Sequence, residues 1–424
     1  MQSLLFLPHR IPFPPHKGDK VRSYHLLKFL AQRYRVYLGT FIDDPADVAH
    51  IDRVKAFCAD AHFARLHPSR ARVRGLRGFF SNEPLTLPYY RDKNLARWID
   101  ETIAQHSITR VLVFSSCMAQ FLPPRRSFAE IIDFIDVDSD KWRQYATRHR
   151  WPMSAVYARE ARLLLDWERA IAARAAYSLF TTPVEAELFA SLAPTLKDRV
   201  VAVGNGVDTV FFAPNPSARS PYGEAAPVIV FSGAMDYWPN VDAVTWFARE
   251  ALPKIAATVP EVRFYVVGMN PAPAVRALAA SGKVVVTGRV DDVRPYLQHA
   301  DVVVAPLRVA RGVQNKVLEA MAMERAVVAS DVCMAPLSAS PGVDLEVADS
   351  AVAFAQKTIE LLRLARRRET IGAAARDRVE RDYSWDRNLN RVALLLEDAA
   401  RTQARPRAAL GARIHAATAD KARA

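Results

Sequence analysis

Residues 300–322 read ADVVVAPLRVARGVQNKVLEAMA and carry the strongest structural pattern in the chain. Residues 302–304 are three consecutive valines, a β-branched run typical of a buried strand. A glycine-led loop follows at Gly312 and opens a segment with helical periodicity. A strand, a loop and a helix in this order predict one unit of a parallel α/β sheet, in which ligands bind beyond the carboxyl ends of the strands.

The same alternation of β-rich runs and helical patterns extends in both directions from this unit. It stops at a stretch rich in proline, residues 213–227, and restarts after it. The predicted strands are residues 3–7, 36–41, 111–114, 131–135 and 178–182 in the first half, and 228–232, 262–267, 284–287, 302–305 and 326–330 in the second. We therefore predict an α/β fold with two doubly wound parallel-sheet domains and read the proline-rich stretch as a linker.

Composition supports a folded enzyme of two domains. The 424 residues are 50% hydrophobic and 24% charged, which suffices for two cores and argues against disorder. The only early apolar run, residues 4–7, is too short for a signal peptide, and no stretch is long enough to span a bilayer. Three widely spaced cysteines lack the pattern of a zinc site or a disulfide framework. We expect a cytoplasmic protein, soluble or peripherally attached to the inner face of the membrane.

The loop and helix that follow the valine run are suited to a diphosphate. Lys316 and Glu319 are three residues apart and share one helix face, and free amides at the helix start attract anions. A carboxylate such as Glu319 can accept hydrogen bonds from ribose hydroxyls. The alternative is that Lys316 and Glu319 form only a surface ion pair. The candidate donor-binding residues of this segment are Arg311, Gly312, Gln314, Asn315, Lys316 and Glu319.

Two further loops follow predicted strands and contribute candidates. Gly18 and Lys20 open the first helix of the chain and could bind an anion, although a structural turn would explain them equally. Gly233 and Asn240 bracket a turn after the first strand of the second half, where a glycine lets a diphosphate approach closely.

Acidic residues after the strand at 131–135 are candidates for orienting or deprotonating a substrate hydroxyl. Asp136 and Asp138 could orient an acceptor hydroxyl or act as a base. The structural alternative is that Asp138 or Ser139 caps the next helix. His9 and His16 lie near another strand end and are weaker candidates.

The net charge of +13 is concentrated in two regions. Residues 401–424 hold six basic residues against one acid and few large apolar residues, so we predict a disordered basic tail. Five arginines between positions 65 and 77 precede Phe79 and Phe80, with no acid from 61 to 82. This second region could contact an anionic membrane, or could be a solvated loop. Nucleic acid is disfavoured because no nucleic-acid-binding signature occurs.

Several of these motifs together resemble the retaining glycosyltransferases of family 4, which have the GT-B architecture of two Rossmann-like domains facing across a cleft. The resemblance covers residues 1–400 and rests on VGNGVD at 203–208, GRV at 288–290, ADVVVAP at 300–306 and the helix at 316–322. More narrowly, GDKVR at 18–22, IDVDS at 135–139 and GAMDYWPN at 233–240 look like the sugar transferases of exosortase/PEP-CTERM exopolysaccharide systems.

The resemblance implies a domain plan and a chemistry. It implies an acceptor-binding domain at 1–205, a nucleotide-sugar-binding domain at 206–383, a helix at 384–400 that crosses back to the first domain, and the tail at 401–424. A nucleotide-diphosphate sugar, UDP- or GDP-linked, would be the co-substrate, with no permanently bound cofactor and no obligatory metal. Transfer would proceed with retention to a glycan or a polyprenyl-linked saccharide. Arg289 marks the place where relatives hold the base, and Lys316 would stabilise the leaving diphosphate.

One residue departs from the family pattern. The family commonly has two glutamates separated by seven residues; Glu319 matches the second, and Arg311 stands at the position of the first. The first glutamate usually faces the donor sugar, so the donor identity does not transfer to this chain. A sugar-nucleotide epimerase or hydrolase of the same fold, or a non-catalytic nucleotide-binding subunit, therefore stays open as an alternative.

Overall fold

The computed structural model describes residues 1–15, 18–123, 128–223, 226–310 and 312–421, with side chains described up to residue 403. Within this part of the chain the residues form two compact units. Unit 1 consists of Met1–Val203 together with Leu389–Ala424, and unit 2 consists of Gly204–Asn388.

Unit 1 contains a seven-stranded sheet in the order β3-β2-β1-β4-β5-β6-β7, in which every pair of neighbours is parallel. Its central strands β1, β4 and β5 are almost fully buried, as expected for a sheet covered on both faces. The strands are β1 (Ser3–Pro8), β2 (Arg35–Ile42), β3 (Asp60–Arg65), β4 (Arg110–Phe114), β5 (Ala129–Ile135), β6 (Tyr177–Phe180) and β7 (Val200–Ala202).

Unit 2 contains a six-stranded sheet in the order β10-β9-β8-β11-β12-β13, again parallel throughout. This order is that of a doubly wound nucleotide-binding sheet. The strands are β8 (Val228–Ser232), β9 (Arg263–Val267), β10 (Val284–Gly288), β11 (Val302–Ala305), β12 (Val327–Ala329) and β13 (Glu346–Val347).

Helices join most consecutive strands and cover the two sheets. In unit 1 they are α1 (Gly18–Ala31), α2 (Ile51–Lys55), α3 (Pro68–Gly75), α4 (Gly78–Ser81), α5 (Thr86–Tyr89), α6 (Lys93–Gln105), α7 (Asp138–Arg148), α8 (Met153–Arg174) and α9 (Pro183–Leu192). In unit 2 they are α10 (Trp238–Trp246), α11 (Leu252–Thr258), α12 (Pro273–Arg276), α13 (Arg294–Gln298), α14 (Asn315–Ala322), α15 (Asp331–Met334), α16 (Ala351–Arg363) and α17 (Ala365–Asp382). The final helix is α18 (Trp385–Lys421).

The composition of the proline-rich stretch at 213–227 had suggested a linker between the two units, but the structure places their boundary elsewhere. The stretch lies inside unit 2, where the Asn215 amide and carbonyl both bond to the side chain of Gln298 at 2.8 and 2.6 Å. The Tyr222 hydroxyl donates to the Tyr296 carbonyl at 2.5 Å. The prolines therefore shape a segment that packs on α13 rather than a flexible connection.

The last helix contributes to unit 1 from Leu389 onward. Glu397 accepts hydrogen bonds from Tyr34 at 2.8 Å and Arg110 at 2.7 Å, and Asp398 accepts one from Tyr177 at 2.5 Å. The helix continues to Lys421, so most of the tail predicted to be disordered from residue 401 is helical backbone here. No helix among the described residues is long and apolar enough to cross a membrane.

Candidate functional site

Three glycines lie side by side at the carboxyl ends of β8, β9 and β10. Gly233, Gly268 and Gly288 have φ values of +152°, +154° and +70°, which side chains disfavour. Backbone bonds join the three strand ends, from Gly233 N to Val267 O at 3.0 Å and from Gly268 N to Gly288 O at 3.2 Å. A bare backbone surface results at the edge of the sheet where ligands of this fold bind.

Gly268 was not among the candidates that the sequence supplied, and its packing makes a specific prediction. A Cβ atom there would lie 1.7 Å from the Gly233 carbonyl oxygen, so the Gly233 backbone would have to move. We expect Gly268→Ala to destabilise the protein by about 2–3 kcal/mol and to weaken nucleotide binding. Urea unfolding and calorimetry would measure both effects. The control is Gly282→Ala, because Gly282 also has a positive φ of +67° but has open space around its Cβ position. Equal losses in the two variants would contradict the packing argument.

Lys316 reaches the Gly233 turn from the first turn of α14. Its Nζ atom donates to Asn240 Oδ1 at 2.5 Å, and Asn240 Nδ2 donates to the Ala234 carbonyl at 2.9 Å. The ammonium also lies 4.3 Å from the ring centroid of Phe231 and would be 3.2 Å from a Cβ atom on Gly233. Gly233 and Asn240, predicted from one motif, and Lys316, predicted from another, thus form one contact cluster.

The protonation of Lys316 and Glu319 is perturbed in this cluster. Burial lowers the pKa of Lys316 to about 8, and burial raises the pKa of Glu319 to about 7, with Lys316 partly opposing that rise. Lys316 and Glu319 are both only partly exposed, and the Lys316 ammonium bonds to Asn240. The interpretation of Lys316 and Glu319 as a surface ion pair is therefore wrong. An anionic ligand beside Lys316 would restore the proton that burial disfavours.

The loop that leads into α14 leaves polar groups available. Gly312 has a φ of +62°, and Gln314 occupies the N-cap position without a side-chain cap to the helix amides. The buried Oδ1 atom of Asn315 has no hydrogen-bond partner among the described residues. A helix start without a side-chain cap, the unpartnered Asn315 Oδ1 and Lys316 one residue further on are a suitable environment for an anionic, polar ligand.

Arg289 and Arg308 differ in their surroundings. Arg289 follows β10 at one margin of the sheet and is exposed, without contact to Lys316. Arg308 is exposed and pairs with Asp242 through its Nε at 2.9 Å. Arg311 lies outside the described residues. Of these cations, Lys316 is the one that the structure places at the Gly233 turn.

Lys20 of unit 1 does not reach a ligand. Its Nζ atom is 2.5 Å from Asp47 Oδ2, and the side chain is 2% exposed. The ammonium is thus used in a buried ion pair between α1 and the turn that contains Asp47, which contradicts its predicted role in phosphate binding. Gly18 is the first residue of α1 and has open space around its Cβ position.

A network of polar side chains surrounds His9 at the end of β1. His9 Nε2 lies 3.3 Å from Asp19 Oδ2, and Arg10 bridges Asp19 at 3.0 Å and Asp43 at 2.9 Å. Burial alone would raise the pKa of Asp19, but the hydrogen bond and charge of His9 and the charge of Arg10 hold it well below its usual value. Sequence reasoning had ranked His9 low and had not singled out Arg10, whose partner Asp43 is distant in sequence. His16 lies outside the described residues.

The loop with Asp136 and Asp138 is held by two buried glutamates from neighbouring helices. Glu185 accepts from Val137 N at 2.8 Å, and Glu168 accepts from the Ser139 amide at 3.2 Å and hydroxyl at 2.5 Å. Burial raises the pKa of Glu168 to about 8 despite these hydrogen bonds. Val137, not Asp138 or Ser139, occupies the N-cap position of α7, so the capping alternative is wrong.

The Asp136 loop lies beside strained backbone. Ile135 is the last residue of β5 and has a φ value of +73°, and Ser115, directly after β4, has a φ value of +76°. A positive φ at a β-branched residue costs about 1–3 kcal/mol and persists where surrounding bonds fix it. Ser115 N donates to Asp133 O, and Thr181 donates to the Ile135 carbonyl through its amide and to Asp136 through its hydroxyl. Such strain is concentrated in functional sites. Asp136 and Asp138 are both partly exposed.

Comparison with known proteins identifies a family pattern in unit 2 and the fold of the whole chain. Residues 226–364 match the family model described as "Glycosyl transferases group 1". No curated protein sequence matches the chain. The family match covers the sheet strands β8 to β13, including Gly233, Lys316 and Glu319.

Solved structures of sugar-processing enzymes have the same fold along the chain. The sucrose-phosphate synthase of Thermosynechococcus elongatus is 17% identical and has a TM-score of 0.68 over 94% of this chain and 99% of that chain. A glycosyltransferase from Rickettsia africae is 13% identical, with a TM-score of 0.65 over 94% and 98%. HepE of Anabaena, solved in complex with UDP-glucose, is 13% identical, with a TM-score of 0.64 over 94% and 100%. The predicted fold of two Rossmann-like parallel-sheet domains, as in GT-B enzymes, is confirmed.

Proposed function

We propose that the protein transfers a sugar from a nucleotide-diphosphate donor to a glycan or lipid-linked acceptor. The observation that carries the proposal is the cluster of Gly233, Asn240 and Lys316 at the carboxyl ends of the unit 2 strands. The match of residues 226–364 to the group 1 glycosyltransferase model supports it, because this match contains the whole cluster.

The donor diphosphate is proposed to lie against the Gly233 turn. The bare backbone admits it closely, the Lys316 ammonium supplies positive charge, and the amides at the start of α14 supply oriented dipoles. Gly312, Gln314 and Asn315 provide the loop that leads to those amides. Glu319 is one helical turn further along and is proposed to accept hydrogen bonds from ribose hydroxyls. The base is proposed to lie near Gly288 and Arg289.

The reaction breaks the bond between the anomeric carbon and the diphosphate oxygen and forms a bond from that carbon to an acceptor oxygen. Negative charge develops on the leaving diphosphate, so a fixed ammonium and helix amides stabilise the transition state more than the ground state. Following the resemblance to family 4, we propose retention of anomeric configuration, with the leaving phosphate taking the acceptor proton and without a metal. UDP and GDP are the proposed nucleotides; the structure of HepE in complex with UDP-glucose supports UDP.

The acceptor is proposed to bind in unit 1. Asp136 and Asp138 are partly exposed on a loop whose amides are fixed by Glu185 and Glu168, so their carboxylates are held in place to orient an acceptor hydroxyl. His9, bound to Asp19 at the neighbouring strand end, is a further group for orienting that hydroxyl. Residues held in this way contribute through positioning.

The biological setting belongs to the same proposal. The motifs at 203–208, 288–290, 300–306 and 316–322 support membership of glycosyltransferase family 4. Those at 18–22, 135–139 and 233–240 support a role in exopolysaccharide synthesis of the exosortase/PEP-CTERM type. Three free cysteines and a nucleotide-sugar donor favour the cytoplasm. A polyprenyl-linked acceptor would bring the reaction to the inner face of the cytoplasmic membrane.

A nucleotide-binding experiment tests the donor site. We expect UDP or GDP to raise the melting temperature of the wild type, by the free energy that binding to the folded state supplies. Glu319→Gln should raise the dissociation constant of the nucleotide by about 10–100-fold, because a hydrogen bond to a charged group contributes about 1.5–3 kcal/mol. Calorimetry with a panel of nucleoside diphosphates and their sugars would measure both effects.

The matched control is Glu369→Gln, an exposed glutamate on α17. A wild type that binds no nucleoside diphosphate, or a Glu319→Gln variant that binds as well as the control, would refute the donor site. Consumption of the sugar nucleotide that is unaffected by any acceptor would instead identify a hydrolase or epimerase. Nucleotide binding without any turnover would identify a binding subunit.

A further inference from the structure

Helices α3 and α4 are attached to unit 1 by an inner face of small residues. Ala71, Gly75 and Gly78 are buried, and Cβ atoms on the two glycines would lie 3.3 Å from Leu85 O and 3.0 Å from Glu83 O. Arg74 donates to the carbonyls of Pro88 and Tyr89 at 2.7 and 2.6 Å. Helical hydrogen bonds continue through the junction, from Arg77 N to Arg74 O and from Phe80 N to Arg77 O. The two helices are therefore firmly placed rather than loose, and the predicted solvated loop is helical.

The outer face of these helices carries large apolar side chains, whereas a solvent-exposed helix face is normally polar. Val73, Leu76 and Phe80 are 69%, 54% and 94% exposed. Their spacing of three and seven residues places them along one side of a helical turn. Burying one such side chain removes large apolar area from water, so three aligned side chains define a surface that gains free energy from an apolar partner.

The same face is strongly cationic. Arg70, Arg72 and Arg77 are exposed, and none of them pairs with a carboxylate among the described residues. Exposed arginines elsewhere do pair, such as Arg143 with Asp140 and Arg308 with Asp242. Unpaired charges interleaved with aliphatic and aromatic side chains on a helix are the pattern of an interfacial membrane-binding helix.

A second exposed cluster lies at the adjoining end of α8. Trp151 is 81% exposed in the turn before α8, and Met153, the first residue of α8, is 42% exposed. Arg148 at the end of α7 and Arg150 are also exposed. Arg159 of α8 donates to the Gly78 carbonyl at 2.6 Å and lies 5.1 Å from the ring centroid of Phe79. Met153 precedes Arg159 by six residues, which is about 9 Å along a helix. Trp151 thus precedes the start of the helix that contacts α4 through Arg159, and tryptophan favours membrane interfaces.

We propose that the outer face of α3 and α4, defined as Arg70, Arg72, Val73, Leu76, Arg77 and Phe80, binds the surface of an anionic lipid bilayer, with Trp151 as a second anchor. The arginines attract acidic headgroups while the apolar side chains enter the acyl boundary. Nucleic acid would match the charge but would leave Val73 and Leu76 exposed. The inference rests on unit 1 alone and does not depend on the proposed sugar transfer.

Vesicle co-sedimentation of the full chain tests this surface. The probes are vesicles of phosphatidylcholine and vesicles of the same lipid with about 30% phosphatidylglycerol. We expect the wild type to bind only the anionic vesicles, and less tightly as salt is raised. Arg70→Gln/Arg72→Gln/Arg77→Gln should lose roughly a hundredfold in affinity, about fivefold for each arginine. Leu76→Ser/Phe80→Ser should lose about tenfold or more.

Matched variants on unit 2 separate the face from general surface effects. Arg219→Gln/Arg249→Gln/Arg276→Gln removes three other exposed arginines, and Val343→Ser/Val352→Ser removes two apolar side chains that are 55% and 53% exposed. Both controls should bind like the wild type, and all variants should keep its melting temperature. Failure of the wild type to bind anionic vesicles, or wild-type binding by Leu76→Ser/Phe80→Ser, would overturn the proposal. Nucleoside-diphosphate binding should be unchanged in every variant, so this outcome is independent of the donor site.

Discussion

Replacing Lys316 by alanine is expected to reduce the rate of sugar transfer by about 10²–10³-fold, the loss typical when one fixed transition-state donor is removed. The ammonium is held by Asn240 beside the bare Gly233 backbone, in the position proposed for the leaving diphosphate. Without it, the helix amides of α14 remain but the compensating charge is lost. Initial rates of donor consumption, with calorimetric dissociation constants for UDP and GDP, would measure the change.

The pH dependence of binding provides an internal check on Lys316. Burial lowers the pKa of Lys316 to about 8, so in the free protein the ammonium loses its proton as the pH rises through 8. When a diphosphate is bound, its negative charge keeps Lys316 protonated. Nucleotide affinity should therefore fall above pH 8 in the wild type and stay flat there in Lys316→Ala. Lys254→Ala, an exposed lysine of α11, should behave like the wild type. Unchanged rates in Lys316→Ala, or the same alkaline decline in that variant, would exclude Lys316 from the site.

The strands that the sequence predicted and those that it missed differ in burial. The runs at 228–232 and 302–305 coincide with β8 and β11, both fully buried and composed mainly of β-branched or aromatic residues. Strands β3, β7 and β13 were missed, because β3 and β7 are partly exposed at the two margins of their sheet and β13 has only two residues. Margin strands are stabilised by pairing with a neighbour rather than by their own apolar pattern, so local sequence carries little signal for them.

Site residues were predictable where the motif also fixed the local backbone. Gly233 and Lys316 belong to loops whose strand and helix were visible in the sequence, and they meet because neighbouring strands end at the same edge. The role of Lys20 was not predictable in this way, because its buried partner Asp47 is 27 residues away and the local sequence does not indicate the ion pair. Gly268 was missed although it directly follows the strand at 263–267; its contact with Gly233 is visible only in three dimensions.

Removing Arg22 is expected to produce the largest loss of stability in unit 1. Arg22 Nε donates to Asp133 Oδ2 at 2.8 Å, and both side chains are 0% exposed. Arg22→Leu leaves the Asp133 carboxylate in the core without its countercharge, which typically costs about 3–5 kcal/mol. We expect the melting temperature of unit 1 to fall by roughly 10 °C, measured by calorimetry and by urea unfolding followed on its tryptophans.

The remaining charge gives this loss a characteristic pH dependence. Burial raises the pKa of Asp133 even with Arg22 present, and removing Arg22 raises it further. A carboxyl group with a raised pKa in the folded state favours folding more as the pH falls, so Arg22→Leu should recover part of its stability relative to the wild type between pH 7 and pH 5. Arg22→Met/Asp133→Leu removes both charges and should be more stable than Arg22→Leu at pH 7. If the double variant is as unstable as the single one and neither responds to pH, the role of Arg22 is packing rather than charge.

The ion pair joins α1 to the end of β5, just before the strained Ile135 and the Asp136 loop. Its loss should therefore also disturb the proposed acceptor site before unit 1 unfolds.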